Sequence, residues 1–235
     1  MPALQALAIR REIEERFTIG LDNEARGDWQ AAASEFERIV ALRPAEPAGS
    51  TARYDLAIAY ANLQRYDDAA RELHEAIALD PAFLAALANL VAVDLARGDG
   101  AEARRIADRY VALAPDSARA LYSRGIVALQ NGDAATARAD FGKLLHANPS
   151  YALAHYDLAL AEERLGRYDA AESELRAALA LAPTYARARL ALGIVLLREG
   201  DRAGARDAFA RTLVDAAGDP ALMNVASALR DSIKL

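Results

Sequence analysis

The chain contains no cysteine, which excludes disulfide bonds, a thiolate nucleophile and zinc sites built on cysteine. Aromatic residues make up only 6% of the 235 residues, and β-branched residues are few. The apolar part of the composition is therefore mainly alanine and leucine, which enter helices at little cost in conformational entropy. This composition predicts an all-α protein.

Motifs of catalysis and of metal binding are also missing. The three histidines, His74, His146 and His155, are not spaced as metal ligands. The sequence has no G-x-S-x-G nucleophile motif and no glycine-rich phosphate loop. We therefore expect a protein that is not an enzyme, with no catalytic residue, no metal site and no cofactor.

A basic region and a long apolar run are absent as well. The net charge is −6, and no region has the basic excess that phosphate contacts require, so we expect no nucleic-acid partner. The longest strongly apolar segment, residues 83–93, is too short to span a membrane. The first arginines follow the N-terminal apolar stretch, whereas a secretory signal has the reverse order. We expect a soluble, cytoplasmic protein, or a periplasmic one if a signal segment has been removed.

Proline recurs at an almost fixed interval. The prolines are Pro44, Pro81, Pro115, Pro149 and Pro183, and each of the last three intervals is 34 residues. Alignment on them gives six repeats: residues 13–46, 50–83, 84–117, 118–151, 152–185 and 186–219. We call a position within a repeat its place, counted from the first residue of that repeat. Such a period predicts that each repeat is a pair of helices.

Several places support this alignment. Place 20 is alanine in every repeat: Ala32, Ala69, Ala103, Ala137, Ala171 and Ala205. Place 8 is small, and place 24 is mostly large. Glycine occupies the predicted turn between the two helices in five repeats, and aspartate follows it in four, where it can cap the next helix. Proline closes the second helix because its ring has no N–H.

The period, the alanine, the glycine turn and the closing proline together resemble the tetratricopeptide repeat (TPR) family over residues 13–219. The resemblance implies a right-handed superhelical solenoid of antiparallel helix pairs, which we expect to form a single domain over residues 1–235. Residues 3–12 are predicted to extend the first helix. Residues 220–235, with an apolar face of Leu222, Val225, Leu229 and Ile233, are predicted to be a capping helix that covers the last repeat.

The resemblance also implies a concave groove lined by the first helix of each repeat, at places 2, 5, 6, 9, 12 and 13. The predicted groove residues are Phe17, Leu21, Tyr54, Asp55, Ile58, Asn89, Tyr122, Ile126, Tyr156, Asp157, Leu160, Leu190 and Ile194. Tyrosine offers a large apolar area at low entropic cost, together with a hydroxyl group. The alternative is that these side chains only pack between neighbouring first helices.

Three functions are compatible with this pattern. The first is a scaffold or adaptor that binds an apolar or amphipathic peptide segment of another protein in the groove. The second is an assembly protein that forms homo-oligomers through the groove or the C-terminal helix. The third is an accessory domain of a larger envelope or enzyme complex. The bias towards arginine and alanine, with only two lysines, is typical of a GC-rich bacterial genome.

Two electrostatic predictions follow. Acidic groove positions early in the chain (Glu14, Glu24 and Asp55) and basic ones later (Arg119, Arg164, Arg187 and Arg198) predict that a bound segment has its acidic end towards the C-terminal repeats. Arg124 at place 7 and Asp94 at place 11 interrupt apolar positions. We expect the two to form an ion pair between repeats, because an unpaired buried charge is costly.

Overall fold

The computed structural model describes residues 2–233, with side chains from residue 4 onwards. Over that part of the chain it contains thirteen α-helices and no strand, so the predicted all-α class is confirmed. The chain divides into two compact units, residues 1–123 and residues 124–235. Each unit is built from consecutive helix pairs joined by short turns.

The first unit contains α1 (Pro2–Ala25), α2 (Trp29–Ala41), α3 (Ala48–Asn62), α4 (Tyr66–Leu79), α5 (Leu84–Arg97) and α6 (Gly100–Leu113). Helix α7 (Ala118–Gln130) crosses the boundary between the units. The second unit continues with α8 (Ala134–Ala147), α9 (Ala152–Arg164), α10 (Tyr168–Leu181), α11 (Ala186–Glu199), α12 (Arg202–Asp215) and α13 (Pro220–Ser232). Two helices fall within each predicted repeat, and α1 begins well before its repeat, as predicted.

The turns within repeats follow from glycine and aspartate. The five turn glycines adopt positive φ angles between 72° and 91°, in the left-handed region that disfavours a β-carbon: Gly27, Gly98, Gly132, Gly166 and Gly200. The predicted caps are present too, because each aspartate after a turn glycine accepts a hydrogen bond from a backbone N–H of the next helix: Asp28, Asp99, Asp133 and Asp201. In the repeat that lacks this glycine, Gln64 takes the positive φ, at 60°.

The packing within repeats is set by places 8, 20 and 24. All six place-20 alanines are fully buried, with 0% exposure. Places 8 and 24 vary reciprocally in size. Glycine faces phenylalanine in three repeats (Gly20 and Phe36, Gly125 and Phe141, Gly193 and Phe209), alanine is combined with leucine in two, and valine with alanine in one. A larger side chain at place 24 is therefore matched by a smaller one at place 8, sixteen residues earlier, so that the contact between the two helices stays filled.

Contacts between a basic and an acidic side chain on the two helices of a repeat were not predicted. A basic residue at place 4 bonds an acidic residue at place 23 in three repeats: Arg16 with Glu35 at 2.9 Å, Arg53 with Glu72 at 2.6 Å and His155 with Glu174 at 2.6 Å. The sequence could have indicated these contacts, because the two residues are nineteen positions apart in each of the three repeats. Four of these side chains belong to the first unit, where the paired carboxylates are largely buried.

The structure gives Asp94 and Arg124 each a charged partner within its own unit. Asp94 is fully buried and accepts a hydrogen bond at 3.0 Å from Arg97, which lies three residues further along the same helix. Arg124 instead donates two hydrogen bonds of 2.7 Å to the buried carboxylate of Asp140 at place 23 of its own repeat. Each buried carboxylate therefore has a basic partner within its own helix or repeat, as burial of a charge requires.

The C-terminal helix α13 packs on the end of the second unit. Asp219 caps it by accepting a hydrogen bond from the N–H of Leu222. Ile233 is buried in the core cluster of the unit, and Leu229 packs against that cluster. The predicted apolar face needs one correction, because Val225 is 48% exposed and Ala226 is buried in its place. Residues 234 and 235 of the predicted capping helix lie outside the described residues.

Candidate functional site

Side chains of neighbouring first helices contact one another in the first unit. The rings of Tyr54 and Phe83 lie 5.0 Å apart. The amide of Asn89 donates a hydrogen bond of 2.9 Å to the Tyr54 hydroxyl, and its carbonyl accepts one of 3.1 Å from Arg119. A continuous polar chain therefore connects α3, α5 and α7. We call the surface formed by the first helices within each unit the first-helix face.

Two carboxyl groups on this face have no basic partner among the described side chains. Burial, and then the nearby Glu24 carboxylate, raise the pKa of Asp55 to about 7. Burial also raises the pKa of Glu24, and its Oε1 atom is buried without a hydrogen-bond partner among the described residues. Both side chains are only half-buried as a whole, so the α1–α3 part of the face is acidic and accessible.

The second unit has an aromatic contact at the same places. The rings of Tyr156 and Tyr185 lie 5.1 Å apart. Burial raises the pKa of both hydroxyls, that of Tyr185 to about 12, and the charge of Asp157 acts in the same direction. Both tyrosines are therefore neutral hydrogen-bonding groups at physiological pH.

A small apolar cavity of about 50 Å³ lies between α9 and α11 in the second unit. Its lining includes Leu160 and Ile194, which were predicted groove residues, and the side chain of Glu163 stands at its edge. The cavity is large enough for a methyl or isopropyl group. It offers a first-helix position where an apolar side chain of another molecule could be inserted.

Most of the predicted groove residues are half-buried, as expected for side chains that pack on one side and face solvent on the other. These are Phe17, Tyr54, Asp55, Ile58, Asn89, Tyr122, Ile126, Tyr156, Leu160, Leu190 and Ile194. Leu21 is the most open, with 48% exposure, whereas Asp157 is buried with 6%. Asp157 is therefore less available to a ligand than the sequence suggested.

Sequence reasoning missed the aromatic residues at place 34. Phe83 and Tyr185 contact the place-5 tyrosines of their own repeats with tilted rings, at interplanar angles of 39° and 52°. The sequence could have indicated these contacts, because both repeats carry an aromatic residue at place 5 and another at place 34. These contacts show that Tyr54 and Tyr156 contribute to packing as well as to the exposed surface.

The described residues form neither a metal-ion cluster nor a membrane-spanning helix. Among the described side chains, no group of three or more histidines, aspartates and glutamates is placed to hold a metal ion. None of the described helices combines the length and the apolar character that crossing a membrane requires.

Consecutive helix pairs with a buried alanine, a glycine turn and a partly open first-helix face define a helical repeat protein. One tetratricopeptide repeat model matches residues 17–83, 122–186 and 156–220, and a second such model matches residues 63–124. The chain therefore belongs to the tetratricopeptide repeat family.

Solved structures with the same fold include several proteins of different origin. A crystal structure of MamA is 23% identical, with a TM-score of 0.65 over 71% of this chain and 91% of that one. A tetratricopeptide repeat protein from Parabacteroides merdae is 17% identical, with a TM-score of 0.69 over 93% and 99%. The APC/C hetero-tetramer Cut9-Hcn1 is 20% identical, with a TM-score of 0.70 over 92% of this chain and 41% of that one. At these identities the likeness concerns the fold alone, and a search of curated proteins found no match.

Proposed function

We propose that the chain is a protein-interaction scaffold that binds a segment of another protein along its first-helix face. The observation that carries this proposal is the row of half-buried apolar and tyrosine side chains on consecutive first helices in each unit. Side chains in this state are already ordered by packing and still present apolar area, which lowers the entropic cost of binding. Members of this family are generally non-enzymatic scaffolds, and we propose no reaction for this chain.

The charges of the first-helix face favour a partner segment of mixed character. Glu24 and Asp55 provide uncompensated carboxyl groups near the start of the chain. Arg187 and Arg198 are exposed at places 2 and 13 of the last repeat. We infer that a segment bound to the first unit carries a lysine or arginine, and that a segment bound to the second unit carries an acidic residue.

The apolar side chains of a bound segment have binding positions on this face as well. The cavity between Leu160 and Ile194 accepts one aliphatic side chain, while the tyrosine rings offer flat apolar area with a hydroxyl at the edge. A helix with apolar residues at spacings of three and four meets these requirements.

Selection of random peptides displayed on phage tests the proposal without knowledge of the natural partner. Peptides selected on the wild-type protein should be apolar with at least one basic residue. They should be lost when Tyr54 and Tyr156 are changed to alanine, and retained when Tyr66 and Tyr168 are changed instead. The second pair stands at place 17 of the same two repeats, so it controls for the loss of two tyrosines. Peptides that bind both variants equally would contradict the proposal.

A further inference from the structure

Helix α1 has an exposed stripe that no other part of the described chain covers. The stripe consists of Leu4, Leu7, Arg11, Glu14, Thr18 and Leu21, all of which are exposed. The leucines are 71%, 52% and 48% exposed. Leu4 and Leu7 are neighbours on this side of the helix, and Leu21 lies on the same side near the other end of the stripe.

The spacing of the stripe is that of a helix–helix seam. Its members follow one another at intervals of three, four, three, four and three residues, which places them along one side of a helix. This alternation is the a and d pattern through which two helices pack with interlocking side chains. Residues 4–11 are exposed on all sides of the helix. Further along α1 the opposite side is covered, since Arg16 reaches Glu35 on α2 and Gly20 packs on Phe36.

Two copies of the stripe are complementary to each other when their α1 helices are antiparallel. In an antiparallel pair of two α1 helices centred between residues 11 and 14, Leu4 lies opposite Leu21, and Leu7 lies opposite Thr18. At the centre, Arg11 lies opposite Glu14 of the other copy, and this contact occurs twice. A parallel pair would instead place Arg11 against Arg11 and Glu14 against Glu14, which is repulsive.

We propose that two copies of the chain associate through this stripe, with their α1 helices antiparallel and a two-fold axis between residues 11 and 14. The apolar ends supply the attraction, and the central charges select the orientation and the register. A contact of this kind is isologous, because each copy contributes the same surface. Glu14, Thr18 and Leu21 stand at places 2, 6 and 9 of the first repeat, so the contact uses the N-terminal extension of α1 together with the first-helix face of that repeat, and not the C-terminal helix.

The length of the stripe sets the strength of the association. From residue 4 to residue 21 it extends about 26 Å at 1.5 Å per residue. A single pair of helices of this length lies at the lower end of the areas that specific interfaces bury. We therefore infer a dimer that forms as concentration rises, with a dissociation constant of order 10–100 μM. Glu14, Thr18 and Leu21 also belong to the first-helix face, so dimer formation covers the part of that face that α1 forms.

Disulfide formation between single-cysteine variants tests the orientation directly, because the natural chain has no cysteine. A mixture of Leu4→Cys and Leu21→Cys chains should form a mixed disulfide dimer under mild oxidation. Neither variant alone should do so, because its two cysteines would lie about 26 Å apart, far beyond the roughly 7 Å that a disulfide can bridge between α-carbons. Efficient cross-linking of Leu4→Cys with itself would indicate a parallel contact and overturn the proposal.

Sedimentation equilibrium with charge variants tests the central contact. Arg11→Glu and Glu14→Arg should each weaken the dimer at least about tenfold, and the double exchange should restore it. Arg26→Glu, an exposed turn residue off the stripe, should leave it unchanged. All of these are surface changes, and circular dichroism verifies the fold. A wild-type chain that stays monomeric to 1 mM would overturn the proposal, as would displayed peptides that require Leu4 and Leu7, which would assign the stripe to a different protein.

Discussion

A β-carbon placed on Gly125 would lie 2.6 Å from the Cε1 atom of Phe141, so the ring of one residue requires the other to be glycine. The same relationship holds for Gly20 with Phe36 and for Gly193 with Phe209. In the repeat of residues 50–83, where place 24 is leucine, place 8 is alanine. The two helices of every repeat thus keep a close approach with different pairs of residues.

Gly125→Ala should therefore destabilise the protein, although alanine is the better helix former. Relief of the overlap has to move a fully buried ring, which we expect to lower the free energy of unfolding by about 1–3 kcal/mol. Urea denaturation followed by circular dichroism measures this. Gly142→Ala is the matched control, since nothing lies within 4 Å of a β-carbon at that helical position, and it should stabilise by about 0.5–1 kcal/mol.

The double variant Gly125→Ala/Phe141→Leu reproduces the combination found at residues 57 and 73. It should recover a large part of the stability that Gly125→Ala loses, because the smaller side chain makes room for the new methyl group. Equal effects of Gly125→Ala and Gly142→Ala would show that the packing of Phe141 does not limit place 8.

Loss of the Arg124 guanidinium should be costly because it leaves the Asp140 carboxylate buried without its partner. Asp140 is 3% exposed, and Arg124 donates to both of its oxygens. We expect Arg124→Met to lower the free energy of unfolding by about 2–4 kcal/mol, as measured by urea denaturation. Arg211→Met removes an ion pair with Asp207 whose side chains are 65% and 63% exposed, and it should cost less than about 0.5 kcal/mol. Similar losses in the two variants would argue against a structural role for Asp140.

The pH dependence of stability should report on Asp55. Its pKa is about 7 in the folded chain and about 3.9 in an unfolded one, so the folded state binds more protons between these values. Stability from this group therefore falls as pH rises through that window. Asp55→Asn should be about 1–2 kcal/mol more stable than wild type at pH 8, after allowance for solvent screening of a half-buried group, and equal to it at pH 4.

Thermal or urea unfolding at several pH values measures this difference. Asp22→Asn, an exposed position on α1, is the control for the loss of one carboxylate. A gain for Asp55→Asn that is the same at pH 4 and pH 8 would show that ionisation of Asp55 is not its cause.

The C-terminal helix should contribute to stability through Ile233. This side chain is 9% exposed and lies in the core cluster of the second unit, whereas Val225 on the same helix is 48% exposed. We expect Ile233→Ala to cost about 2 kcal/mol and Val225→Ala less than about 0.5 kcal/mol. Melting curves of the two variants measure the difference. A larger effect of Val225→Ala would mean that α13 packs through its other face.

The elements that sequence reasoning predicted well are those determined by nearby residues. The turns depend on a glycine and the aspartate after it, as at Gly132 and Asp133, and the helix ends depend on proline a few residues later. These turns and helix ends recur with a period of 34 residues, so the helix pairs and the family could be recognised from the sequence alone.

The predictions that failed concern which side chains contact one another in the folded chain and which side of a helix is buried. Asp94 and Arg124 each bond a residue of opposite charge within their own unit, and no spacing rule ranks such alternatives. The rotation of α13 about its axis was misjudged at Val225, because an alanine one residue later allows a closer approach of the helix. The contact of Tyr54 with Phe83 was missed because the groove prediction used only residues of the first helices, and Phe83 precedes α5.

The binding of one selected peptide by isothermal titration calorimetry tests the central claim most directly. The account predicts that Tyr54→Ala/Tyr156→Ala weakens binding at least about tenfold, or 1.4 kcal/mol, while Tyr66→Ala/Tyr168→Ala leaves it within about twofold of wild type. Equal affinity of both variants and the wild type would contradict the account, because the bound segment would then lie away from the first-helix face.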